Sequence, residues 1–262
     1  MWRDQWIFVG DEGTVAALGL QRTGSGDGEA KGWLAEDGAL AMTFYRRFGL
    51  ARGDANDRAA ALSALARAPG VGARIALEES NGGLVLTLRA PNRTLVLACD
   101  GLEPLGEASD PEGVSIYSAG RARLRVGSRR EPGWLVTEGT DADRPRRAFV
   151  DYGSFVFAVL TTADRVVVVK HSNGARAFDH AFLRDGRGTH ETADVRTELT
   201  AERLEVRLPE VSLEATASIG AHEATVGVAP GGARMRYEVL LLEGEWSGLA
   251  FGISPEEGSG TR

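Results

Sequence analysis

The sequence predicts an all-β protein made of two related lobes. Three observations carry that expectation: strand-length apolar segments between turn residues, one helix-like stretch, and an internal repeat. Segments such as "GLVLTLRA", "RTLVLAC", "RLEVRL" and "RMRYEVLLLE" alternate or run apolar for the length of a strand, and Gly, Asn, Asp and Pro separate them. Thirty-four glycines in 262 residues suit the tight turns and bends of such a fold.

Taken in order, "WIFVGDEGTVAALGLQ" reads as two strands around a turn. "TGSGDGE", 23–29, follows as a hairpin loop, because it has neither the helix nor the Lys-Ser/Thr of a phosphate cradle. "GWLAEDGAL" then reads as a further hairpin, turning at Asp37-Gly38. "DANDRAAALSALARAPG", 54–70, is the one helix candidate: Asp and Asn offer caps, alanines favour the helix, and Pro69-Gly70 ends it. "GVGAR", 70–74, comes after that helix, which is the wrong order for a dinucleotide fingerprint.

The repeat sets the domain count. "WIFVGDEGTVAALGLQ" through "GWLAEDGAL" aligns with "FVFAVLTTADRVVVVKHS" through "HAFLRDGRG", pairing Trp33-Leu34 with Phe182-Leu183. "GGLVLTLRAPNRTLVLA" aligns with "ERLEVRLPEVSLEATA", and "GRARLRV" with "GGARMRY", each of the last two followed by a tryptophan, Trp134 and Trp246. "EGTDADRPRR", 138–147, is charged, contains Pro145 and lacks periodicity, so it reads as a linker. The expected lobes are 1–143, with the helix at about 54–69 as an insertion, and 144–262.

Composition excludes several classes. A net charge of -7 with arginines interspersed among acids is not the basic face that nucleic acid requires. One cysteine, Cys99, excludes an intrachain disulfide and a multi-cysteine zinc site, and in "LVLACD" it reads as a core residue. No apolar run approaches the roughly 20 residues of a membrane-spanning helix. "MWRDQWIFVG" lacks a signal-like apolar core, so a cytoplasmic location is expected. No G-x-S-x-G nucleophile elbow occurs.

With these features in place, the chain resembles the two-domain lipocalin-like proteins, among them carotenoid 1,2-hydratase (hydroxyneurosporene synthase) and its bacterial relatives. The resemblance rests on the tandem β lobes, the aromatic-and-glycine start of each, the Asp-Gly hairpin, and the G-x-A-R-x-R segment ahead of a Gly and Trp. It implies two tandem lipocalin-like β-barrel or bent-sheet lobes, with one short helix inserted in the first. It also implies a cavity for an elongated apolar molecule of isoprenoid, fatty acyl or polyketide type. Those relatives carry an Asp-His-Trp-Gly type segment where the second lobe begins, whereas this chain has "FVDYGSFVF" at 149–157, so no catalytic residue is transferred.

The chemistry-bearing stretch is "DRVVVVKHSNGARAFDHAFLRDGRGTH", 164–190. Asn173-Gly174 predicts a two-residue turn, since both its positions need positive φ. That register places Val169 opposite Phe178 and Val167 opposite His180, on one face with His171 and Phe182. Phe178, Phe182, Val167 and Val169 would line a lumen, with His180 in the middle and His171 at the rim. Asp179 would lie outside, near Lys170. The two histidines would be roughly 13 Å apart at ~3.3 Å per residue, too far to share a zinc ion, so no metal is expected.

His180 has two readings, a hydrogen-bonded core residue or a polar contact and proton donor to a ligand. With Tyr152 and Asp151 it forms the candidate catalytic set. Trp6 and Trp33 are candidate cavity aromatics. Arg123, Arg125, Arg234 and Arg236 are expected on solvent faces. The expected partner is an apolar small molecule, taken without cofactor, either by a binder or by a hydratase or cyclase. A structural or protein-interaction β module with filled lobes is the alternative.

Overall fold

The computed structural model describes residues 2–22, 27–50, 60–61, 63–64, 74–80, 83–90, 93–110, 113–141, 153–174, 177–228 and 234–256. The first sheet contains β1 (Trp2–Gly10), β2 (Val15–Arg22), β3 (Gly28–Glu36), β4 (Ala39–Phe48), β5 (Arg74–Ser80), β6 (Gly83–Ala90), β7 (Arg93–Cys99), β8 (Glu103–Asp110), β9 (Gly113–Val126) and β10 (Arg129–Asp141). The second contains β11 (Phe155–Thr161), β12 (Val166–Ser172), β13 (Phe178–Asp185), β14 (Gly188–Thr192), β15 (Arg196–Leu199), β16 (Arg203–Leu208), β17 (Leu213–Val228), β18 (Arg234–Glu243) and β19 (Ser247–Pro255). A 3-10 turn, Pro209–Val211, precedes β17. The fold is all-β, with each sheet curled into a half-barrel.

The two sheets share one topology. Strand order is β4-β3-β2-β1-β10-β9-β7-β6-β5 in the first, with β8 also on β9, and β14-β13-β12-β11-β19-β18-β17-β16-β15 in the second. The unbroken β17 stands where the first lobe has β7 followed by β8. The break at Asp100–Leu102 answers to a register shift in β17 between Ile219 and Ala221. Two glycines fix the same close approach in each lobe. A Cβ on Gly133 of β10 would meet the Val9 carbonyl oxygen at 2.2 Å, and one on Gly248 of β19 would meet that of Val159 at 1.9 Å. By contact the chain divides into two units, Met1–Leu34 with Ala41–Pro145, and Ala35–Leu40 with Arg146–Arg262.

Period-two alternation supplies each core. In the first unit Trp6, Phe8, Leu18, Leu20, Leu97 and Leu124 cluster. In the second Ala158, Leu160, Val167, Val169, Leu183 and Leu240 do so. β11 is buried at every position, which is why it reads as a continuous apolar run rather than an alternating one.

Three sequence expectations need correction. "GRARLRV" and "GGARMRY" are not equivalent, because Arg121–Val126 pair with Arg129–Trp134 beside the β9–β10 turn, whereas Met235–Tyr237 open β18 and pair with the end of β19. The similarity is one of alternating Arg and apolar residues, which any half-exposed strand can show. Residues 138–141 of the proposed linker belong to β10, with Glu138 and Thr140 buried on one of its faces. The third is the hairpin register: Ser172 pairs with Phe178, His171 with Asp179, Lys170 with His180 and Val168 with Phe182. Asn173 does not serve a two-residue turn. Its side-chain oxygen accepts from the Ser154 N–H at 2.9 Å, and its own N–H donates to the Ser154 carbonyl at 3.2 Å.

That register differs from the expected one by three residues, and an odd shift moves every side chain of one strand to the other face. Most of the expected helix, 54–69, falls outside the described residues. Ala60, Ala61, Ser63 and Ala64 within it are helical, and Ala61 packs into the first core.

Candidate functional site

The first lobe holds an apolar cleft. Trp6 of β1, Ala16 and Leu18 of β2, and Trp33 and Leu34 of β3 form one wall. Leu86, Leu88, Leu95 and Leu97 of β6 and β7 form the other, and Thr43 and Phe44 of β4 complete the lining of a small cleft that opens to solvent. Sequence shapes this space in two ways. Ala16 of β2, opposite Phe8, stands where the matching strand of the second lobe carries Val169 opposite Ala158. Gly32 lets the Phe44 ring lie against the backbone, since a Cβ there would sit 2.1 Å from Phe44 Cε1. Of the sequence candidates, Trp6 and Trp33 meet here.

The other candidates lie in the second unit, and the register separates them. Val167 and Val169 are fully buried in the second core cluster. His171 shares their face at its rim, where its Nδ1 hydrogen-bonds the Asp179 carboxylate. Asp179 therefore sits beside His171 and not near Lys170. Phe178, His180 and Phe182 occupy the opposite face, with Lys170 and Val168. Phe182 is buried, while Phe178 and His180 are half-buried. Tyr152 and Asp151 lie outside the described residues. Among the described residues no group of three or more His, Cys, Asp or Glu is placed to hold a metal ion.

A polar network in the first unit was not anticipated. The Glu138 carboxylate accepts from Arg3 at 2.9 Å, from the Tyr117 hydroxyl at 3.0 Å and from Thr140 at 3.4 Å, and Thr140 and Ser115 share a hydrogen bond at 2.8 Å. Burial, and then the adjacent Glu138 charge, push the Tyr117 hydroxyl well above its usual value, so it serves as a neutral donor. The signal was present in period two: Trp134, Val136, Glu138 and Thr140 share one face, and a lone carboxylate among buried positions needs donors. Cys99 is buried as expected, its thiol donating to the Gly101 and Arg121 carbonyls. Arg123, Arg125, Arg234 and Arg236 face solvent.

No protein-family model matches the sequence and no curated protein matches it either. Solved structures do. An AttH-like protein of Nitrosomonas europaea superposes with a TM-score of 0.52 at 15% identity, over 96% of this chain and 90% of that one. Kievitone hydratase from Nectria haematococca gives 0.54 at 8% identity, over 99% and 90%. CghA gives 0.52 at 14% identity, over 100% and 90%. No described helix is long and apolar enough to cross a membrane. The chain has the two-lobe lipocalin-like fold of these proteins, which is the fold the sequence resemblance implied.

Proposed function

We propose that the protein binds an apolar small molecule in the cleft of its N-terminal lobe, residues 1–143, while the C-terminal lobe, 144–262, has a filled interior. One observation carries this reading: the cleft is lined by two indoles, a phenyl ring, six leucines and two alanines, with Thr43 as its one hydroxyl. Such a lining favours a neutral, elongated or flat body of isoprenoid, fatty acyl or polyketide type, since few polar groups fix orientation in apolar sites. Cofactor-free hydration or cyclisation is the reaction class we assign. It is supported by the hydratase among the structural neighbours; His180, Tyr152 and Asp151 are the candidate acid–base groups, and they belong to the C-terminal lobe and not to the cleft lining. A cytoplasmic protein that does not engage nucleic acid is the setting we infer from its charge.

N-phenyl-1-naphthylamine, a neutral dye that brightens in apolar sites, tests the cleft. Wild type should take it up saturably and gain thermal stability as RT ln(1 + [L]/Kd). Leu97→Trp, which fills the cleft, should abolish uptake while the protein still melts cooperatively. If wild type binds neither this dye nor any of a panel of fatty acids, isoprenoids and polyenes, the filled interaction module becomes the better reading.

A further inference from the structure

The face of the second sheet turned away from its core cluster carries five phenylalanines and, on β12 and β13, the cation-forming side chains Lys170, His180 and Arg184. Register places Phe251, Phe157, Lys170 and His180 in one row across β19, β11, β12 and β13. Phe155 and Phe178 flank that row with ring centroids 6.1 Å apart, and Phe157 and Phe251 stack at the same separation. Lys170 is only 4% exposed, and its Nζ lies 5.5 Å from the Phe178 ring centroid.

An ammonium in that setting is expensive to bury, and its field is weakly screened once there. Lys170 and His180 are directly opposed in the ladder, where Cβ atoms are about 4.5–5.5 Å apart. Nζ and the imidazole can therefore converge on one oxygen. Phe178 and His180 are half-buried, which leaves an approach to the pair from that side.

We propose that Lys170 and His180 form an oxyanion-binding pair for an apolar molecule carrying one acidic group: a carboxylate, sulfonate, phenolate or enolate. The half-buried rings of Phe178 and Phe251 take the apolar body, and the two nitrogens donate to the charged oxygen, as preorganised donors do in a water-poor site. Both side chains also have contacts within the protein at rest, which the anion joins or replaces. The pair lies in the other unit from the apolar cleft, so this inference stands or falls apart from the cleft reading.

The test compares 1-anilinonaphthalene-8-sulfonate with N-phenyl-1-naphthylamine, which share one body and differ by a sulfonate. Wild type should bind the sulfonate. Lys170→Gln should weaken it by about 10- to 100-fold, the range for a hydrogen bond to a charged group, while changing the neutral dye less than twofold. Lys170→Arg should keep most of the sulfonate affinity, and Leu97→Trp should leave that affinity intact while removing neutral-dye uptake by the cleft. If Lys170→Gln does not fold, His180→Gln, together with displacement of the sulfonate by decanoate but not methyl decanoate, replaces it. Failure of wild type to bind the sulfonate, or loss of sulfonate binding in Leu97→Trp, overturns the proposal. So does a Lys170→Gln protein that melts lower yet keeps the wild-type sulfonate affinity, because the lysine would then be a purely structural cation. In the substitute arm, an unchanged sulfonate affinity in His180→Gln or equal displacement by acid and ester has the same force.

Discussion

Replacing Gly248 by alanine should destabilise the C-terminal lobe by about 3–5 kcal/mol, from overpacking of 1–3 kcal/mol and two weakened ladder hydrogen bonds at about 1 kcal/mol each. The new methyl would sit 1.9 Å from the Val159 carbonyl oxygen and 3.2 Å from Leu160 Cα. Ordinary contact then requires the central strand β11 to retreat by more than 1 Å, roughly enough to stretch a 2.9 Å ladder bond past its useful range. Gly133→Ala in the first lobe meets the Val9 carbonyl at 2.2 Å and should cost a similar amount. Urea unfolding followed by far-ultraviolet circular dichroism and by tryptophan fluorescence measures both. Four of the five tryptophans, at 2, 6, 33 and 134, precede the second lobe. Fluorescence should therefore follow Gly133→Ala closely and Gly248→Ala weakly. A loss below 1 kcal/mol in either variant would refute the shared close approach on which the pairing of β10 with β19 rests.

Further outcomes follow from the polar groups. Burial holds the native Tyr117 hydroxyl well above its ordinary value of 10.0, so above about pH 10 the unfolded chain releases a proton that the folded chain keeps. Stability should then fall with rising pH, by up to about 1.4 kcal/mol per pH unit for one proton, and Tyr117→Phe should flatten that fall by one proton in alkaline urea titrations. At neutral pH the same variant should cost about 1 kcal/mol for a lost buried hydrogen bond. Burial, partly offset by a backbone hydrogen bond at Gly101, raises the Cys99 thiol. Labelling by a disulfide reagent should therefore await unfolding, and fast labelling of the native protein would contradict the packing. His180→Gln should lower turnover by roughly 100-fold with binding retained if the imidazole is a general acid, and unchanged turnover on an identified substrate would remove it from the catalytic set.

Architecture was legible because alternation and turn residues are local signals. The first two repeat blocks fall on equivalent strands because each contains a whole hairpin, whose spacing constrains the alignment. The third block, a single alternating strand, could slide. The hairpin around Asn173 misled for a physical reason: the Asn-Gly pair predicts a turn only when the asparagine is not engaged elsewhere, and here Ser154, nineteen residues earlier, engages it. That one long-range bond reversed which residues share a face with Val167 and Val169, and with it the assignment of His180. Trp6 and Trp33 were found because large aromatics in matched strands mark interior positions. The Arg3–Glu138–Tyr117 network draws on β1, β9 and β10, whose adjacency is a product of topology that no local pattern contains.

The two lobes also differ in how load would pass through them. In the first, the chain leaves its sheet at Asp100–Leu102, so β8 is held by β9 alone and a pull on Asp110 opens one hairpin without reaching β7. In the second, β17 runs unbroken for sixteen residues, and a pull on Val228 is carried past the irregularity at Gly220 into the strands that close the core. The first lobe is thus the compliant half, able to breathe at its edge around a cleft, and the second is the stiff frame.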